Sequence, residues 1–231
     1  MSDWSAAKML ARVITLTQLL ALVLWVPFVY AFNEAPFFSK AVKSGELPEV
    51  EKRLPPVPVV VKPIDHTGNY GGMWRRAYTG MSDLVGVRRI LYEPLVRWNP
   101  EFEVEPNLAG SWEIDDTGRV YTFHLVKGVK WSDGEPFTAD DIIFYFEDIL
   151  LDKELTVAIP NWLSPDGAPP KVEKIDDYTF RIEFTKPYSI FLKQLACPHG
   201  MELVTKPKHY LKNFHNKYAD PEKLEKLMKD R

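Results

Sequence analysis

The sequence predicts an α/β fold. Three observations carry this: strand-length runs that alternate with period two, apolar residues that recur at helical spacing just after them, and turn chemistry between the two. The run Val120–Asp141 shows all three. Tyr121, Phe123 and Leu125 alternate with Thr122 and His124, the pattern of a half-buried strand. Trp131 follows, and Ser132-Asp133-Gly134 supplies a turn. Thr138, with Asp141 three residues on, reads as a helix N-cap and a first-turn carboxylate. Ile142, Tyr145, Phe146 and Ile149 then recur at helical spacing.

The first residues read as a targeting segment. Lys8 and Arg12 precede the uncharged run Val13 to Ala31, which ends in Val29-Tyr30-Ala31. That is the layout of a cleavable secretory signal peptide over residues 1–31, leaving a mature chain that starts at Phe32. An uncleaved membrane anchor is the rival reading, because the run is almost long enough to span a bilayer. Pro27 and the Val-x-Ala site favour cleavage. No cysteine lies near the site to carry a lipid.

Removing Asp3, Lys8 and Arg12 takes the formal charge from −3 to −4, so no basic field draws nucleic acid. Cys197 is the only cysteine, without an internal disulfide partner, and reads as a small buried hydrophobe. The 231 residues suit one large domain or two small ones, and 45% hydrophobic content with 13% aromatics can supply a core.

Residues 32–56 read as an amino-terminal arm. Ala35 to Ser44 suits a short helix ended by Gly45, and Leu54-Pro55-Pro56-Val57-Pro58 an extended strap. Ser82 or Asp83 can cap a helix bearing Leu84, Val87 and Leu91. Asp115-Asp116-Thr117-Gly118 turns one strand back as the hairpin partner of Val120–Leu125. Thr156 to Pro170 is a proline-rich loop with a turn at Asp166-Gly167. Val172–Ile175 and Thr179–Phe184 form a half-buried hairpin. Pro187 starts a helix through Leu195, Lys206-Pro207 begins another, and Pro221 to Arg231 is a charged terminal helix.

The order and identity of residues in Val120–Asp141 resemble the family 5 solute-binding proteins, extracytoplasmic receptors of ABC importers for peptides, nickel and some oligosaccharides. Other stretches resemble the same family: Asn33-Glu34-Ala35-Pro36, Gly45-Glu46-Leu47-Pro48, Arg53-Leu54-Pro55, Tyr70 to Arg76, Leu91 to Val96, Pro106 to Trp112, and Lys206 to Leu211. In the Tyr70 stretch the resemblance implies that Gly71-Gly72 precedes the first sheet strand, Met73 to Tyr78. The resemblance implies a periplasmic-binding-protein-like fold, here a partial clamshell with a mixed-sheet lobe and a smaller inserted lobe. On this reading residues 57–82 and 172–231 form an incomplete first lobe and 83–171 the inserted one. Family members are roughly twice this length or more. The chain therefore matches only their amino-terminal part, as a truncated product or a fragment.

Chemical motifs offer little competition. Asp140-Asp141 are adjacent on a helix and point apart, so first-turn carboxylates explain them better than an acid–base pair. His199, His209 and His215, with Cys197, match no metal-ligand spacing. No nucleophile elbow, P-loop, dinucleotide loop or HExxH sequence occurs, so no cofactor and no enzyme activity is expected. Among the tryptophans, Trp74, Trp112 and Trp131 fall on or beside strands, where core packing is the default, whereas Trp162 lies in a loop. The resemblance places the ligand cleft at two loops, here Thr79-Gly80-Met81-Ser82 and Pro160-Asn161-Trp162; a loop Trp is also a common lid on a core. It implies capture of an oligopeptide in the periplasm and delivery to an ABC permease. An oligosaccharide stacked on Trp is the alternative ligand, and a secreted interaction module without a transport role the alternative class.

Overall fold

The computed structural model describes residues 32–80, 83, 86 and 93–229. The expected signal peptide, and most of the helix expected after Ser82, lie outside the described residues. The chain divides into two compact units, 1–51 and 52–231.

In the first unit, α1 (Ser39–Lys43) is one short helix. Gly45 ends it at φ 78, a left-handed conformation that glycine adopts without strain, and its N–H reaches the Val42 carbonyl at 3.1 Å. The helix expected from Ala35 is therefore shorter, because Pro36 to Phe38 form a turn first. A second short helix, α2 (Val50–Arg53), crosses the boundary between the units.

The second unit opens with the Leu54–Pro58 strap, which holds no helix. A Cβ on Gly128 (φ 88) would meet Pro56 Cδ at 2.7 Å, so only glycine lets the strap lie so close to the chain leaving the main sheet. The strand expected at Met73–Tyr78 does not form. No described segment ladders with it, and Met73, Trp74 and Tyr78 stay exposed. A strand is stabilised by its cross-strand partners, which one segment by itself cannot supply.

Two sheets are present among the described residues. β1 (Val96–Trp98) pairs antiparallel with β2 (Val104–Pro106). β3 (Ala109–Ile114), β4 (Val120–Leu125), β5 (Lys171–Asp176) and β6 (Thr179–Glu183) form a four-stranded antiparallel sheet in the order β3-β4-β6-β5. Both hairpins fall where the sequence placed them. Asp115 closes the first: its carboxylate accepts from Arg119 N at 2.9 Å, from Val120 N at 2.8 Å and from the Thr117 hydroxyl. The Thr117 contact leads in lowering its pKa to about 2.

The second hairpin was expected in a first-lobe sheet beside Met73–Tyr78. It ladders to β4 instead, with Phe123 opposite Phe180, so the sheet crosses the expected division at 171/172. The reason lies in the faces. Tyr121, Phe123 and Leu125 of β4 and Phe180 and Ile182 of β6 are all buried, and pairing these two strands centrally merges their apolar sides. β3 and β5 lie at the sheet's edges, mostly exposed and carrying Glu113, Lys171, Glu173 and Lys174.

Helix α3 (Ala139–Phe144) runs into a π-helical turn, Tyr145–Leu150. It buries Ile142, Phe144, Tyr145, Phe146 and Leu150. α4 spans Phe191–Leu195 and is followed by the 3₁₀ segment Pro198–Val204. α4 starts later than the sequence suggested, because Tyr188 is tied elsewhere: its N–H reaches the Gly118 carbonyl at 3.0 Å, and its carbonyl accepts from Tyr121 Oη at 2.7 Å. Phe191 then centres an aromatic cluster, with ring centroids 4.8 Å from Phe184, 4.9 Å from Tyr121 and 6.3 Å from Phe123. α5 (Lys208–Leu211) and α6 (Pro221–Lys229) complete the described chain.

The Val120–Asp141 motif becomes a structural hub. Asp141, 4% exposed, accepts from Thr138 N at 3.0 Å, from Trp131 Nε1 at 3.2 Å and from Lys208 N at 2.8 Å. One carboxylate thus closes the capping box, orients Trp131 and anchors the start of α5. Asp140, its neighbour, faces outward to Lys174 at 2.7 Å and Lys208 at 3.2 Å.

Candidate functional site

Pro160 and Asn161 are exposed at the turn that presents Trp162. Leu163 N and Ser164 N both reach the Pro160 carbonyl, at 2.9 and 3.2 Å, which buries Leu163 completely and leaves Trp162 half-buried. The Trp162 ring lies 6.4 Å from Phe191, nearly parallel at 17°, and 4.8 Å from His199. One face therefore covers the aromatic core, so Trp162 is at least a lid on that core.

His199 Nε2 is buried and has no hydrogen-bond partner. Burial pushes the imidazole below its ordinary pKa, and a hydrogen bond to the Gln194 backbone opposes this. Gly200, next to it, admits no side chain: a Cβ would stand 1.9 Å from the Leu195 carbonyl oxygen. The other histidines sit elsewhere. His209 Nε2 donates to Asp133 at 2.7 Å, and His215 Nε2 to the Asp148 carbonyl at 2.6 Å. Among the described residues no group of three His, Cys, Asp or Glu side chains could hold a metal ion.

At the other expected loop, Thr79 donates to Asp83 Oδ2 through its N–H at 2.9 Å and its hydroxyl at 3.0 Å. The Thr79 backbone bond leads in lowering the Asp83 pKa. Thr79 is exposed and Gly80 half-buried; Met81 and Ser82 lie outside the described residues. Among the described residues no hydrogen bond or ring contact joins Thr79-Gly80 to Pro160–Trp162.

The structure adds a cleft that sequence reasoning missed. It encloses about 390 Å³ between the start of β1 and the turn after α4, lined by Pro94, Arg97, Trp98, Cys197, Pro198 and Met201, among others. Cys197, expected to be buried, is half-buried on this wall. Arg97 is held by Glu105 at 2.6 Å, while its Nε is buried with no partner. About a hundred residues separate the two walls, so no local signal in the sequence pointed to the cleft. The Cys197–Met201 turn thus lies between Trp162, which meets His199, and this cleft.

Such a wall, apolar with a few polar groups and aromatic faces, suits binding. The family described as bacterial extracellular solute-binding proteins, family 5 Middle, matches residues 103–226, more than half of the chain. The chain belongs to this family. The periplasmic alpha-galactoside-binding protein of Rhizobium meliloti (strain 1021) is 37% identical over 203 residues, covering 78% of this chain and 29% of that protein. A solved oligopeptide-binding protein OppA is 46% identical with a TM-score of 0.75, covering 84% of this chain and 30% of that one. The periplasmic binding protein MelB from Agrobacterium fabrum C58, solved with stachyose, is 32% identical with a TM-score of 0.60, over 83% of this chain and 32% of that one. The α/β, periplasmic-binding-protein-like fold is thus shown. These relatives are binding proteins, and the chain spans about 30% of the OppA length.

Proposed function

We propose that this chain supplies the amino-terminal part of the solute-binding component of an ABC importer, exported to the periplasm through residues 1–31, and that its solute is an oligopeptide. The likeness to the oligopeptide-binding protein OppA, at 46% identity over most of the chain, carries this reading. Thr79–Ser82 and Pro160–Trp162 provide one wall of the solute cleft. The remainder of a family 5 receptor provides the other, and closure over the solute buries it. Peptide backbone is recognised through hydrogen bonds and side chains through roomy pockets.

A second reading, an oligosaccharide solute, has its own support. The alpha-galactoside-binding relative and the stachyose-bound structure also match over 78% and 83% of this chain. Trp162 would then serve as a stacking face for a sugar ring. Calorimetric titration of the full-length gene product with mixed tri- to pentapeptides, and separately with raffinose and stachyose, decides between them. Heat from peptides and none from the sugars is expected; the reverse result overturns the oligopeptide reading, and no heat from either overturns both.

A further inference from the structure

Among the described residues two buried side-chain nitrogens have no hydrogen-bond partner, Arg97 Nε and His199 Nε2. The second lies against Trp162: the two ring centroids are 4.8 Å apart, at 48°. Burial of this kind does not depend on the rest of a longer chain, because further packing can only deepen it. Because Nε2 has no partner, the bond to the Gln194 backbone is donated by Nδ1–H, which fixes the neutral tautomer with a bare acceptor at Nε2. The backbone under the ring is pinned. Gly200 N bonds the Cys197 carbonyl at 2.9 Å, and a Cβ at Gly200 would stand 1.9 Å from the Leu195 carbonyl oxygen. The indole thus has two supports, Phe191 at 6.4 Å and nearly parallel, and His199.

We propose that His199 is the positioning residue for Trp162 and makes solute capture pH-dependent: the neutral ring holds the indole in place as part of the solute wall, and protonation releases it. This rests on the cleft wall assigned to Pro160–Trp162 above. Protonation puts a charge and an N–H at Nε2, where no acceptor waits. The indole face attracts a cation at this distance, but a buried charge with an unmatched donor costs more than that attraction returns. Since Gly200 pins the backbone, the imidazolium reaches water by turning its own side chain, and the indole keeps only Phe191. No charged neighbour opposes this. Around the turn, Glu202 pairs with Lys206 at 3.6 Å, Arg97 on β1 with Glu105 at 2.6 Å, and Asp148 on the π-helical turn with Lys217 at 2.6 Å. Asp141 of α3 is held by its three N–H donors, Asp166 accepts from the Thr185 hydroxyl, and Lys193 of α4 is exposed. Burial holds the His199 pKa below its ordinary 6.5, in keeping with the neutral ring.

The test is calorimetric titration of the full-length gene product, from pH 8 to pH 5, with mixed tri- to pentapeptides and separately with raffinose and stachyose. Affinity for the solute that binds should be level above pH 7 and about fivefold or more lower at pH 5. By linkage, binding near the His199 pKa should release protons, seen as heats that differ between buffers of different ionisation enthalpy. His199→Phe keeps a ring and cannot titrate, and the Gln194 carbonyl retains Cys197 N at 3.0 Å. His199→Gln is the second variant without a titrating ring. The pH dependence should vanish in both. Trp162 emission, taken as wild type minus Trp162→Phe, should fall with pH in the absence of solute, because an imidazolium quenches an indole it touches. Level wild-type affinity, or the same pH slope in both His199 variants, overturns the proposal and leaves the import reading intact. Trp162 emission that does not change between pH 8 and pH 5 overturns the positioning role. No binding of any of these solutes at pH 7.5 overturns the import reading and this proposal together.

Discussion

Replacing Asp141 by Ala removes an acceptor from three N–H groups at once: Thr138 N, Trp131 Nε1 and Lys208 N. A hydrogen bond to a charged group contributes about 1.5–3 kcal/mol, and a stranded buried donor costs about 1–3 kcal/mol. Trp131 is half-buried and water reaches part of the site, so about 1–1.5 kcal/mol per bond is the appropriate end of that range, or roughly 3–4.5 kcal/mol in all. For a domain of this size that lowers the thermal midpoint by about 6–18 °C. Asp141→Asn should lose less. Its carbonyl in the place of Oδ2 keeps Thr138 N and Trp131 Nε1, and its amide N–H₂ then faces Lys208 N alone. Asp140→Ala is the control. Asp140 is partly exposed, its pKa is lowered chiefly by Lys174, and its two ion pairs contribute under about 1 kcal/mol. Urea unfolding followed by tryptophan fluorescence measures all three. An Asp141→Ala loss within about 1 kcal/mol of the Asp140→Ala loss would refute the reading of Asp141 as the shared anchor of α3, Trp131 and α5.

Phe191→Ala should cost about 3–5 kcal/mol, because it empties the centre of the aromatic cluster without opening it to solvent; denaturant titration shows this as a fall in midpoint at constant slope. His199 has a folded-state pKa below its ordinary 6.5, so the folded state favours the neutral ring. Its contribution is present above pH 6.5 and is lost as pH falls through the folded value, which His199→Gln should abolish in a pH series of thermal midpoints. Residues 32–231 expressed alone should bind tri- to pentapeptides no better than micromolar, because one wall of a cleft cannot bury a solute; submicromolar calorimetric binding by a monomer would show that closure is unnecessary.

Local chemistry made several elements legible in the sequence. β4 and β6 were readable because period-two alternation is a property of one strand and does not depend on its neighbours. The N-cap at Thr138 was readable because a capping box needs residues only three apart. The turns at Asp115–Gly118 and Asp166-Gly167 were readable from residues that bond their own backbone. The family was readable from residue order in Val120–Asp141, although what that order does locally is structural: Asp141 gathers Thr138, Trp131 and Lys208.

Partnership between distant segments was decided only in three dimensions. Alternation gives a strand two faces but does not name its neighbour, so the ladder between β4 and β6 could not be read ahead, and Met73–Tyr78 remained extended without one. The cleft between β1 and the Cys197–Met201 turn joins residues about a hundred apart, and no local pattern encodes such a meeting. Trp162 was recognisable as a loop residue, but its seat on Phe191 and His199 depends on where α4 and the turn after it dock. Phe102, left-handed at φ 61 in the β1–β2 hairpin, was invisible because nothing in its side chain favours that conformation; the Asn99 and Glu103 bonds across the hairpin impose it. The sequence by itself thus determined the elements whose hydrogen bonds and apolar faces close within a few residues, while burial shared between remote segments determined how those elements meet.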